Sequence, residues 1–103
     1  MKLPSKLRIC GQVWTVKPVK DLIKKTLKGG RAIAGDCDPN TKILRVDTSG
    51  SRDTALSSLV HEALHACVAM SGHRVPDRAE EKTIQALEAP LLSLLRDNRQ
   101  WWK

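Results

Sequence analysis

The sequence predicts an α+β fold in which a small antiparallel sheet packs on a helix carrying two histidines and on a C-terminal helix. Three observations predict it. Two N-terminal stretches alternate apolar and polar side chains around a turn signal, as half-buried strands do. The stretch from Ser51 to Gly72 has helix start and stop residues at its ends, and the stretch from Asp77 carries a leucine stripe at helical spacing. With 103 residues the chain is expected to form one domain, residues 1–103, around a single modest core. Trp14, Trp101 and Trp102 are its aromatic side chains, so Leu, Ile, Val and Ala must build most of that core.

Leu7 to Val16 alternates on both sides of Gly11, the pattern of two short strands or one hairpin. Asp21 to Lys28 reads as a short helix or a lysine-rich connection, ended by Gly29 and Gly30. Arg31 to Asp36 and Lys42 to Asp47 flank Asp38-Pro39-Asn40-Thr41, a turn sequence in which proline fixes φ and Asp and Asn bond their own backbone. A second hairpin is expected there. Ser51 is the expected N-cap of the next helix, with Asp53 in its first turn, Met70 near its end and Gly72 as terminator. Its core side is expected to be Leu56, Leu59, Val60, Ala63, Leu64 and Cys67. The last helix opens at Asp77 with Ile84, Leu87, Leu91, Leu94 and Leu95 on one stripe, and Pro90 is expected to kink it around Ala86 to Ala89.

The formal net charge is +7, with much of the excess in the first 31 residues. Such a balance is compatible with nucleic acid, though it more often marks a solvated face. The three cysteines, Cys10, Cys37 and Cys67, are odd in number and follow an N-terminus without an apolar signal segment. Free thiols and a cytoplasmic location are expected. No apolar run approaches the roughly 18 residues that a membrane span needs, so no membrane partner is expected.

The chemistry lies in His61-Glu62-Ala63-Leu64-His65. Residues four apart on a helix differ by about 40° of rotation and about 6 Å of rise, so the two imidazoles can close on one ion. Glu62 sits about 100° round from His61, beside the open coordination position, where it can take a proton from water. A catalytic zinc site needs a third protein ligand. His73, just past Gly72, is assigned to a loop, which leaves Glu80 and Glu81. Asp77-Arg78-Ala79-Glu80 has the spacing of a capping box, which would occupy Glu80. Glu80 is nearer the centre of the apolar stripe, which counts for it, but Glu81 is the preferred ligand. With no tyrosine in the chain, His73 and Arg74 are the residues considered as a second oxyanion donor.

On Thr41 to Asp47, on Leu59-Val60-His61-Glu62-Ala63-Leu64-His65-Ala66, and on Glu80-Glu81 opening a helix that ends in Leu94-Leu95-Arg96-Asp97-Asn98, the chain resembles the small phage- and prophage-encoded metallopeptidases of the minimal zincin type. It is more distantly similar to the SprT-like and ImmA/IrrE groups. The resemblance covers Gly35 to Asn98. It implies a single minimal zincin-like domain, Zn2+ held by His61, His65 and Glu81, Glu62 as general base, and peptide-bond hydrolysis in the cytoplasm of a host cell. A protein or peptide substrate would then lie along an exposed edge strand, expected at Lys42 to Val46. The alternatives are a zinc-stabilised binding protein without catalysis and a nucleic-acid-associated protein acting through the basic N-terminal third.

Overall fold

The computed structural model describes residues 3–27 and 33–102. In chain order the elements are β1 (Lys6–Ile9), β2 (Gln12–Val19), α1 (Leu22–Leu27), β3 (Gly35–Asp38), β4 (Ile43–Asp47), α2 (Arg52–Ser71), α3 (Asp77–Asp97) and a terminal helical turn, α4 (Arg99–Trp102). The expected helix end at Lys28, Gly29 and Gly30 and the expected strand start at Arg31 and Ala32 lie outside the described residues.

Ile9 pairs with Gln12, leaving Cys10 and Gly11 as a two-residue turn with φ of 50° and 78°. Two positive φ values give the turn whose twist matches its strands, and Gly11 takes one of them without strain. The second hairpin also forms, with Gly35 opposite Val46 and Asp38 opposite Ile43. The Asp38 carboxylate accepts from the Asn40 amide at 3.0 Å, the self-bonded turn its sequence calls for.

The sheet is mixed, not antiparallel. Its order is β1-β2-β4-β3, and β2 runs parallel to β4 with Thr15 opposite Ile43 and Val19 opposite Asp47. A tight turn forces the two strands of a hairpin to oppose one another, so a strand that starts where β2 ends and runs back delivers the next strand parallel to β2. Strand β3 does that: it starts at Gly35, opposite Val46 at the end of β4, and the turn after Asp38 sends β4 along β2. Strand β4 is therefore interior, and the edge expected at Lys42 to Val46 is instead β3. Thr15 N donates to Lys42 O and Val16 N to Ser5 O, so the even-numbered amides of β2 face β1. Pro18 falls on that side beyond the last β1 partner, where its missing N–H removes no ladder bond.

Asp47 ties the end of β4 to α1 and to the turn that leads into α2. Its buried carboxylate accepts from Ser49 N at 2.8 Å, Ser49 Oγ at 2.7 Å and Ile23 N at 3.0 Å. Those bonds, chiefly from Ser49, outweigh burial and hold its pKa below the ordinary carboxylate value.

The core lies between one sheet face and α2: Ile9, Trp14, Val16, Leu44 and Val46 meet Ala55, Leu59 and Ala66. Ser51 caps α2 by accepting from Thr54 N at 3.1 Å, and Gly72 ends it with φ of 75°. The buried line of α2 is Ala55, Leu59, Glu62 and Ala66, rotated from the expected apolar side. Cys67 follows Ala66 by about 100° of helix rotation and is exposed, contrary to the expected burial. Leu56, Val60, Ala63 and Leu64 are half-buried flanks, because the sheet covers one side of the helix and α3 another.

Helix α3 continues through Pro90 as one element, with Ile84 as its fully buried residue. Leu87 and Leu94, expected on the packed stripe, are 48% and 47% exposed. Among the described residues no helix is long and apolar enough to cross a membrane.

Candidate metal centre

The 3.6-residue period brings His61 and His65 together on α2, with ring centroids 5.0 Å apart. Helix α3 runs back along α2: His65 meets Glu80, His61 meets Glu88, and Asp53 meets Arg96. Glu81 faces both imidazoles. Its Oε1 lies 2.6 Å from His61 Nε2 and its Oε2 lies 2.9 Å from His65 Nε2. One ligand atom from each of the three residues falls within 4.8 Å of the others, so the group could hold a metal ion.

The other ring nitrogens are occupied as well. His61 Nδ1 lies 2.7 Å from Glu88 Oε2, and His65 Nδ1 lies 2.5 Å from Glu80 Oε2. A neutral imidazole that donates from Nδ1 to a carboxylate presents the Nε2 lone pair outward, and the same bond fixes the ring's orientation. Burial works against charge on His65, but the bonds to Glu80 and Glu81 and the proximity of Glu62 outweigh it and raise its pKa.

Glu62 occupies the centre of the buried line of α2, 8% exposed, beneath β3. Burial pushes its pKa up to about 7, with His61 and His65 pulling downward and Glu81 and Asp36 adding to the rise. It fits there because position 35 is glycine. A Cβ on Gly35 would lie 3.2 Å from Glu62 Cγ and 2.7 Å from the Arg45 carbonyl oxygen. An open cleft of about 1580 Å³ runs over these groups, bounded by Asp36 and Cys37 of β3 on one side and Lys82 and Gln85 of α3 on the other. Burial, reinforced by Glu62 and Asp36, pushes the Cys37 thiol up to about 12.

All four residues singled out in the sequence, His61, Glu62, His65 and Glu81, line this cleft. The reason given for preferring Glu81 does not hold. Pro76, not Asp77, is the N-cap of α3 and makes no side-chain cap bond, and the Glu80 carboxylate turns to His65 instead. What separates the two glutamates is geometry: Glu80 reaches one Nδ1, while Glu81 faces both Nε2 atoms. Glu88 was not foreseen. It lies seven residues after Glu81, two turns along the same face, and that spacing was its available signal. His73 and Arg74 are exposed in the connection after α2, outside the cleft lining.

No family model, curated protein or solved structure matches the chain. The donor set itself suits zinc, which accepts imidazole nitrogen and carboxylate oxygen and in catalytic sites takes three protein ligands. Carboxylates behind ligand imidazoles are the usual support for such an ion.

Proposed function

We propose that this chain is a zinc-dependent metallopeptidase of the minimal zincin type, with His61, His65 and Glu81 holding the ion and Glu62 as general base. The observation that supports it most is the double use of each imidazole, Nε2 toward Glu81 and Nδ1 on a carboxylate. A structural pair of surface histidines needs neither arrangement. Bound there, zinc would supply a Lewis acid that lowers the pKa of water to about 7 and polarises a carbonyl.

The chain's own residues do the rest. Glu88 and Glu80 hold the two rings in orientation. Glu62, with a pKa of about 7, is poised at neutral pH to accept a proton from water and pass it to the leaving amine. Strand β3 is a sheet edge beside the cleft, so its outward amides and carbonyls can pair with an extended protein or peptide substrate. Three free thiols support a reducing, cytoplasmic setting.

The test is Glu62→Gln against His61→Ala, with zinc content and hydrolysis of an unfolded protein substrate measured on each. The expected result is that Glu62→Gln keeps about one zinc per chain and loses hydrolysis, while His61→Ala loses both. Hydrolysis retained by Glu62→Gln removes the general-base role. A zinc-loaded wild type that cleaves nothing, yet binds the same substrate, favours a binding protein.

A further inference from the structure

Cations gather at the β1-β2 side of the sheet, away from the acids of β3. The first twenty residues contain five cations, Lys2, Lys6, Arg8, Lys17 and Lys20, and no carboxylate; the first acid in the chain is Asp21. In β1, Leu7 and Ile9 turn toward the core, so Lys6 and Arg8 turn the other way. In β2, Trp14 and Val16 turn inward, which places Val13, Thr15 and Lys17 on that same outer face. Lys17 is registered beside Arg45 of β4, whose guanidinium is paired with Asp36. Lys6, Arg8 and Lys17 are exposed, and among the described residues none makes an ion pair.

The register fixes their spacing. Lys6 is opposite Thr15 and Arg8 is opposite Val13. Neighbouring strands lie about 4.8 Å apart and alternate residues about 6.7 Å apart, so Arg8 and Lys6 stand about 7 Å apart along β1 and Lys17 lies about 8 Å diagonally across from Lys6. Between them stand Val13 and Thr15, with no aromatic ring, since Trp14 is wholly buried on the other face. Single-strand binding draws on stacked bases and aromatic platforms, which this face lacks; a regular row of cations suits a phosphate backbone instead. Of the carboxylates that line the cleft, Asp36 reaches this face and is taken up by Arg45, while Glu62, Glu80 and Glu81 belong to the helices on the other side of the sheet, where they would repel phosphate.

We propose that this outer face, through Lys6, Arg8 and Lys17, docks on the backbone of double-stranded nucleic acid without reading its sequence. Three phosphate contacts give a salt slope of about −2.7, or about 40-fold weaker binding between 50 and 200 mM salt. The experiment measures anisotropy of two labelled 20-base-pair duplexes of unrelated sequence over that salt range, using the full chain. Wild type should bind both duplexes equally with that slope. Lys6→Gln/Arg8→Gln/Lys17→Gln should lose most of the affinity and flatten the slope. Arg74→Gln/Arg96→Gln/Arg99→Gln, which changes net charge equally elsewhere, should bind nearly as wild type; melting of both variants checks that they fold. Equal loss in the two variants would leave only net charge, and overturns the proposal. So does displacement of the duplex by poly-glutamate at equal charge concentration, which would assign the face to an acidic protein.

Discussion

A carboxylate in the middle of a helix's buried line is costly unless its charge is removed or compensated. Glu62 shows that cost as a raised pKa, and its sign can be followed. In metal-free protein its folded value of about 7 lies above the roughly 4.3 of an unfolded glutamate, so the folded chain holds the extra proton across that window. Stability therefore falls as pH rises from about 4 to about 7. His65, also raised, acts with the same sign: its contribution is complete below about 6.5 and is lost as pH climbs through the folded value. Chelated wild type should melt highest on the acid side of neutrality, and Glu62→Gln should lose the slope below about pH 6. Matching profiles would mean that Glu62 titrates as an ordinary surface acid. Behind the histidines, Glu88→Gln and Glu80→Gln should each weaken zinc binding by about 10- to 100-fold, read by competition with a chelator, with the fold intact.

The elements themselves were legible to different degrees. Ser51, Gly11 and Gly72 carry local signals, and each does what its residue type dictates; Ser51→Ala should cost about 1 kcal/mol on thermal unfolding. Direction was not legible, because the alternation of Trp14 and Val16 names the buried face and is silent on whether the neighbouring strand runs along or against it. Nor was the burial of Glu62, since a line of Ala55, Leu59 and Ala66 looks too small to be the core side until the sheet is laid against it. The meeting of His61 and His65 was legible because their four-residue spacing is a property of one helix. Glu80 and Glu88 were not, because their roles depend on how α3 lies across α2. Gly35 belongs to this scale as well. Its close approach to a backbone carbonyl admits no relaxation, so Gly35→Ala should displace β3 or Glu62, costing about 1 to 3 kcal/mol and lowering activity with zinc still bound. A melting point and turnover equal to wild type would show that the strand yields freely.

At the scale of the whole molecule, the apolar attachment of α3 is partial: Ile84 is buried and Leu91, Leu92 and Leu95 are half-buried, while Leu87 and Leu94 stay about half exposed. Its carboxylates on His61 and His65 add to the attachment, and an ion between them would tighten it. Binding to the native state alone adds about 4 kcal/mol when free zinc is about 1,000 times Kd, a large share of a domain's usual margin of about 5 to 15 kcal/mol. Chelation should therefore expose α3 to hydrogen exchange and proteolysis before the sheet opens. Uniform protection in both states would make the helix independent of the ion. The placement of the indoles allows this to be watched by light. Trp14 is sealed in the core with no hydrogen-bond partner for its Nε1 among the described residues, whereas Trp101 is 74% exposed. With Trp101→Phe and Trp102→Phe, the remaining emission comes from the sheet alone; it should be blue-shifted and shielded from iodide. Adding chelator should leave that signal unchanged while α3 loosens, and only global melting should shift it to the red.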